Sequence, residues 1–203
     1  MAGNREVRRR AKVVGVVLQI PEPFAILADR IRRHYDPNFG LIGPHVTILP
    51  PRSVRLARLQ VLQEVRRIAH ITPELTLSLG PIRTFLPVMP VVFASVGRGA
   101  ASLIRLHRRL GGGALRGAES FPYVPHLTLG QGLEAGRLRR ALALSRALFR
   151  RSSPIFWRAD SLIVVERQSD TVWTPLPAIR LNSARRALGN RQGFRSSTRP
   201  SRR

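Results

Sequence analysis

Apolar residues return along this chain in two rhythms. VVGVVLQI (13–20) is a nearly continuous apolar run of strand length. FAILADRIRRHY (24–35) repeats its apolar positions every three or four residues, as a helix packed on one face does. HVTIL (45–49) alternates, RSVRLARLQVLQEVRRIAH (52–70) is helical, and PELTLSLGPIRTF (73–85) reads as a strand or strand pair.

The same order then recurs. VVFASV (91–96), the helix ASLIRLHRRL (101–110), HLTL (126–129), the helix EAGRLRRALALSRALFRR (134–151) and PIFWRADSLIVVE (154–166) repeat strand, helix, strand, helix, strand. Glycines 111–113 should end the helix before them by taking a left-handed conformation. TVWTPLPAIRL (171–181) is a last extended segment. The repeat is too long for a solenoid and predicts two pseudo-symmetric lobes.

PHVT at 44–47 and PHLT at 125–128 coincide at an offset of 81 residues, so two of the five histidines occupy equivalent places. Side chains on a strand alternate faces, which groups His45 with Thr47 against Val46 and Ile48, and His126 with Thr128 against Leu127 and Leu129. Lobes that face each other would bring two imidazoles and two hydroxyls into one cleft. Imidazole titrates near neutrality and can give or take a proton; threonine hydroxyls can hold phosphoryl oxygens. The other histidines, His34, His70 and His107, lie on predicted helices among arginines and read as solvated. Phe121 and Tyr123 read as packing aromatics, with base stacking as the alternative, and Trp157 and Trp173 as packing residues.

Composition narrows the partners. There are 35 basic residues against 11 acidic ones, a formal charge of +24, and no cysteine, which excludes disulfides and thiolate chemistry. Seven of the arginines lie in 183–203, a polar, acid-free tail expected to be disordered, as is the basic head, 1–11. Such charge suits a polyanion, or reflects arginine-rich codon usage alone. The tail is a candidate for loose nucleic-acid contact. No apolar run approaches membrane-spanning length, no histidine spacing suggests a metal site, and a cytoplasmic monomer without cofactor is expected.

Two H-x-T-x motifs about eighty residues apart, each on a predicted strand of a duplicated α/β unit, resemble the two-histidine (2H) phosphoesterase superfamily, which includes the 2′-5′ RNA ligases and RNA cyclic phosphodiesterases. The resemblance covers residues 12–182. It implies an α+β bilobal fold, each lobe a mostly antiparallel sheet with helices outside and a cleft between them, and metal-independent opening of a 2′,3′-cyclic phosphate, or a related phosphodiester, in RNA or a small nucleotide. His45 and His126 would share acid and base duty, with Thr47 and Thr128 as substrate-binding residues. In the cyclic phosphodiesterase branch an arginine commonly stands five positions after the second histidine, where this chain has Gln131. Arg52, Arg83 and Arg167 are the candidates to replace its charge. The alternative on the same fold is an RNA-binding protein without catalysis.

Overall fold

The computed structural model describes residues 11–152, 154–169 and 172–183. Nearly all of the basic head (1–10) and of the arginine-rich tail (184–203) lies outside the described residues. The alternating and continuous apolar runs form β1 (Lys12–Gln19), β2 (His45–Val54), β3 (Leu75–Thr84), β4 (Val92–Val96), β5 (His126–Gly130), β6 (Ile155–Ala159), β7 (Ser161–Arg167), β8 (Trp173–Pro175) and β9 (Ile179–Arg180). The helical rhythms form α1 (Phe24–Tyr35), α2 (Arg58–His70), α3 (Ala100–Gly111) and α4 (Ala135–Arg151). α2 starts later than its periodicity suggests, because β2 continues through Pro50 and Pro51 to Val54.

One sheet runs in the order β6-β3-β4-β5-β2-β1-β7-β8, with β9 added on β7, and its strand pairs are antiparallel. Its centre is a seam. β2 and β5 meet there through a single registered pair, Val46 with Leu127. On one side lies a lobe of β2, β1, β7 and β8; on the other, a lobe of β5, β4, β3 and β6.

The lobes are not the two halves of the chain. β3, from the first half, is paired between β4 and β6 in the second lobe, and β7, from the second half, pairs with β1 in the first. Helices exchange as well: α1 packs on β5 and α4, whereas α3 packs on β2 and α2. Each lobe therefore holds a helix and an inner strand from the other half, and neither half carries all of its lobe's core.

The helices cover one face of the sheet. Val46, Ile48, Leu127 and Leu129 are all at or below 1% exposure there, within a core that also holds Ile31, Leu103, Leu106 and Leu110. Burying a side chain of this size contributes about 1.5–3 kcal/mol relative to leaving it in water. That face must stay where it is, because a slip of one residue would put both histidines into the core. α3 does end at the glycines, but without the expected left-handed residue: its cap, Gly112, has φ −89°. A Cβ there would meet the Arg108 carbonyl oxygen at 2.9 Å, so close approach explains that glycine.

Candidate active site

His45, Thr47, His126 and Thr128 all lie on the open face of the sheet and are half-buried, the reverse of their buried neighbours Val46 and Leu127. The antiparallel register running outward from the Val46 and Leu127 pair sets His45 across from Thr128 and Thr47 across from His126. A pseudo-two-fold axis passes through the seam, and each histidine takes the position across from the threonine of the other motif. The sequence placed each histidine beside its own threonine; the seam adds this reciprocal pairing.

The local backbone treats the two rings alike. His45 Nδ1 lies 2.8 Å from the Gly43 carbonyl oxygen and His126 Nδ1 lies 2.7 Å from that of Val124, in each case two residues back. A carbonyl oxygen only accepts, so both Nδ1 atoms carry the hydrogen and the neutral ring keeps its Nε2 lone pair free. Burial pushes both pKa values below the ordinary 6.5. For His45 the nearby Arg32 cation and His126 push the same way, while the Gly43 hydrogen bond and Asp36 oppose. An Nε2 with a lone pair at neutral pH can take a proton, and an imidazolium formed on the opposite side can give one.

The surroundings differ. Phe93 stacks on Phe85 with centroids 4.0 Å apart, and His126 meets both rings edge-on, at 5.2 and 4.9 Å. His45 instead borders a cavity of about 150 Å³ lined by Gly15, Val17, Leu41, Ile42, Val165 and Trp173, with Arg32 and Asp36 in its wall. Arg32 is 3% exposed and fully committed: Nε donates to Asp36 (3.0 Å), Nη1 to Asp29 (2.8 Å) and Nη2 to the Ile42 carbonyl (2.9 Å).

Gln131 has a definite place. Its Nε2 donates to Asp36 Oδ1 at 2.9 Å, tying the end of β5 to the end of α1. Arg52 is not a cleft residue. It is 7% exposed on the helix side of β2, ion-paired with Glu119 and bonded to the Pro50 and Leu115 carbonyls.

Three further expectations need correcting. His107 is buried, not solvated: its Nδ1 lies 2.9 Å from the Ile48 carbonyl oxygen and its Nε2 3.2 Å from Glu119, while its ring stacks on Tyr123 at 4.0 Å. Tyr123 donates its hydroxyl to the Thr47 carbonyl at 2.8 Å, and burial raises its pKa. Together they hold the β2 backbone beyond the seam. Phe121 is 54% exposed and outside the core, and Trp173 lines the cavity beside His45 while Trp157 does pack in the core. His34 and His70 are exposed as expected.

A doubled α+β sheet with an H-x-T strand on each side of its seam has the architecture of 2H phosphoesterases. The family model of the 2′-5′ RNA ligase superfamily matches residues 20–171, three quarters of the chain, and the protein belongs to that family. A Bacillus cereus (strain G9842) protein named "Putative phosphoesterase" is 31% identical over 134 residues, covering 62% of this chain and 77% of the relative. Among solved structures, TT0787 of Thermus thermophilus superimposes with TM-score 0.60 at 19% identity, over 84% of this chain and 98% of the other. Escherichia coli LigT complexed with 3′-AMP gives 0.53 at 17%, over 86% and 100%. Both likenesses are of fold. No described helix is long and apolar enough to cross a membrane.

Proposed function

We propose that the protein opens a 2′,3′-cyclic phosphate, or a related phosphodiester, at an RNA end or in a small nucleotide, without a metal. One of His45 and His126 takes a proton from the attacking water; the other protonates the departing ribose oxygen. The P–O bond to that oxygen breaks as the new one forms, and a phosphomonoester remains. Thr47 and Thr128 donate to the non-bridging oxygens and stabilise the charge that builds there.

What carries this reading is the seam: two half-buried imidazoles whose Nδ1 hydrogens are both held by backbone, so that Nε2 is the free nitrogen on either side. Both come from one chain, so the site is complete in a monomer. The high positive charge suits an RNA end in a cytoplasmic pool, and loose contact through the arginine tail would raise its local concentration.

The test is an oligonucleotide ending in a 2′,3′-cyclic phosphate, incubated in EDTA with wild type and with the His45→Ala/His126→Ala double variant. Opening by wild type alone supports the mechanism, and the position of the product phosphate identifies which ribose oxygen left. Tight RNA binding, undiminished in the double variant and with no product from either protein, would replace this reading by that of an RNA-binding protein.

A further inference from the structure

The cleft carries equivalent rows of side chains on its two sides, and they differ in one charge. In the second lobe, Thr128 is registered with Phe93 of β4 and Phe93 with Arg83 of β3. In the first lobe, Thr47 is registered with Val17 of β1 and Val17 with Ile163 of β7. Registered partners on neighbouring antiparallel strands share a face, so Arg83 stands on the open face with Thr128, and its pseudo-symmetric counterpart is Ile163.

Arg83 is exposed, and among the described residues it makes no ion pair or hydrogen bond. The other arginines fail on position or on commitment. Arg52 is paired with Glu119 on the opposite face, and Arg32 is spent on Asp29, Asp36 and Ile42. Arg167 is registered with Val13, whose partner on β2 is Ser53. Ser53 lies six residues beyond Thr47, on the order of 20 Å along the strand at about 3.3 Å per residue.

Two interstrand steps of about 4.8 Å put the Arg83 Cα about 10 Å from that of Thr128. Side chains stand roughly perpendicular to a sheet, so the guanidinium keeps about that lateral distance, too far to share the phosphoryl group held at the histidines and well placed for a second one. The wall between them is Phe93 stacked on Phe85. Water is poorer beside such a wall, and a charge-assisted, bidentate contact to phosphate is correspondingly stronger.

We infer that Arg83 forms a second-phosphate subsite on the His126 side of the cleft, so that the substrate carries another phosphate in addition to the one that reacts. This rests on the function proposed above but is separable from it. Such a phosphate can be the preceding phosphodiester of an RNA strand or the 5′-phosphate of a mononucleotide, and both present the same oxygens to a guanidinium. The first lobe, with Ile163 in the matching place, offers no such contact, which gives the substrate a direction across the seam.

Binding tests the subsite without needing turnover. Titration calorimetry with adenosine 3′,5′-bisphosphate and with adenosine 3′-monophosphate should show the bisphosphate binding about tenfold more tightly to wild type. Arg83→Gln should erase that difference while leaving monophosphate affinity unchanged, and Arg83→Lys should keep part of it, losing bidentate geometry but not charge. The slope of affinity against salt for the bisphosphate should fall by about one in Arg83→Gln. Equal affinity for the two ligands in wild type, or an advantage that survives in Arg83→Gln, overturns the inference whether or not the protein is a cyclic phosphodiesterase.

Turnover then separates the sources. A 5′-phosphorylated nucleoside 2′,3′-cyclic phosphate and a dinucleotide ending in a cyclic phosphate should each have a KM about tenfold below that of the unphosphorylated nucleoside cyclic phosphate if either phosphate fits. An advantage confined to the dinucleotide assigns the subsite to an RNA strand, and one confined to the mononucleotide assigns it to a small nucleotide. If none of the three is opened while the bisphosphate advantage at Arg83 persists, the proposed reaction fails and the subsite stands.

Discussion

Set side by side, the two lobes show what a duplication keeps and what it releases. The innermost positions are the same: a histidine with Nδ1 on a carbonyl two residues back, a threonine across the seam, and an aliphatic pair underneath. One strand further out they part. On the His45 side Val17 lines a cavity together with Trp173 and is registered with Ile163, while on the His126 side Phe93 and Arg83 make an aromatic wall ending in a cation. The shared inner positions can serve a reaction that treats both faces of a phosphorus atom alike, and the unshared outer positions can tell one end of a substrate from the other.

If the inner positions are equivalent in duty, His45→Ala and His126→Ala should each lower kcat for cyclic-phosphate opening by about 100- to 10,000-fold with unchanged circular dichroism. A loss in one variant and near-normal turnover in the other would break the symmetry and the mechanism with it. Next in size is the seam itself. Leu127→Ala removes a side chain 1% exposed from the single pair that joins the lobes, and should cost about 2–5 kcal/mol in denaturant unfolding. Two separate unfolding transitions in that variant would mean that the lobes fold independently; one transition is expected, because each contains a helix and a strand from the other half of the chain.

That exchange was not legible in the sequence. Hydrophobic periodicity told where FAILADRIRRHY begins and ends, and α1 occupies the same residues. It could not tell that α1 would lie on β5 rather than beside β2, because an apolar stripe states how much must be buried and not against what. The motif faces were legible for the opposite reason: alternation over HVTIL and HLTL is a property of one strand alone. His107 was misread since its neighbours in sequence, Arg105, Arg108 and Arg109, are exposed, while its actual partners Ile48 and Glu119 come from elsewhere in the chain. Arg83 could be named as a candidate cation, but only the register through Phe93 to Thr128 selects it from Arg52 and Arg167.

A smaller effect is expected where the lobes differ in how their histidine strand is held. Tyr123→Phe deletes the hydroxyl that donates to the Thr47 carbonyl and should cost about 1 kcal/mol of stability. Its effect on turnover should be larger with His126 intact than in His126→Ala, because Thr47 stands opposite His126 across the seam. Additive losses in that double-variant cycle would mean that Tyr123 supports the fold and nothing at the reacting group.

The smallest expected effect is on pH dependence, and here the lobes should again act together. Burial lowers the pKa of His45 and of His126 below 6.5, so the folded protein binds fewer protons than the unfolded chain once the pH falls to that value. Where the unfolded state binds more protons, stability rises with pH; stability contributed by these two neutral rings is therefore full above about pH 6.5 and declines as the pH drops below it. Thermal melts from about pH 7.5 down to pH 5 should accordingly show wild type losing more than His45→Ala/His126→Ala does, with each single variant between them. Identical slopes for wild type and the double variant would mean that both rings are as well solvated folded as unfolded, and the neutral Nε2 at physiological pH would then owe nothing to the cleft.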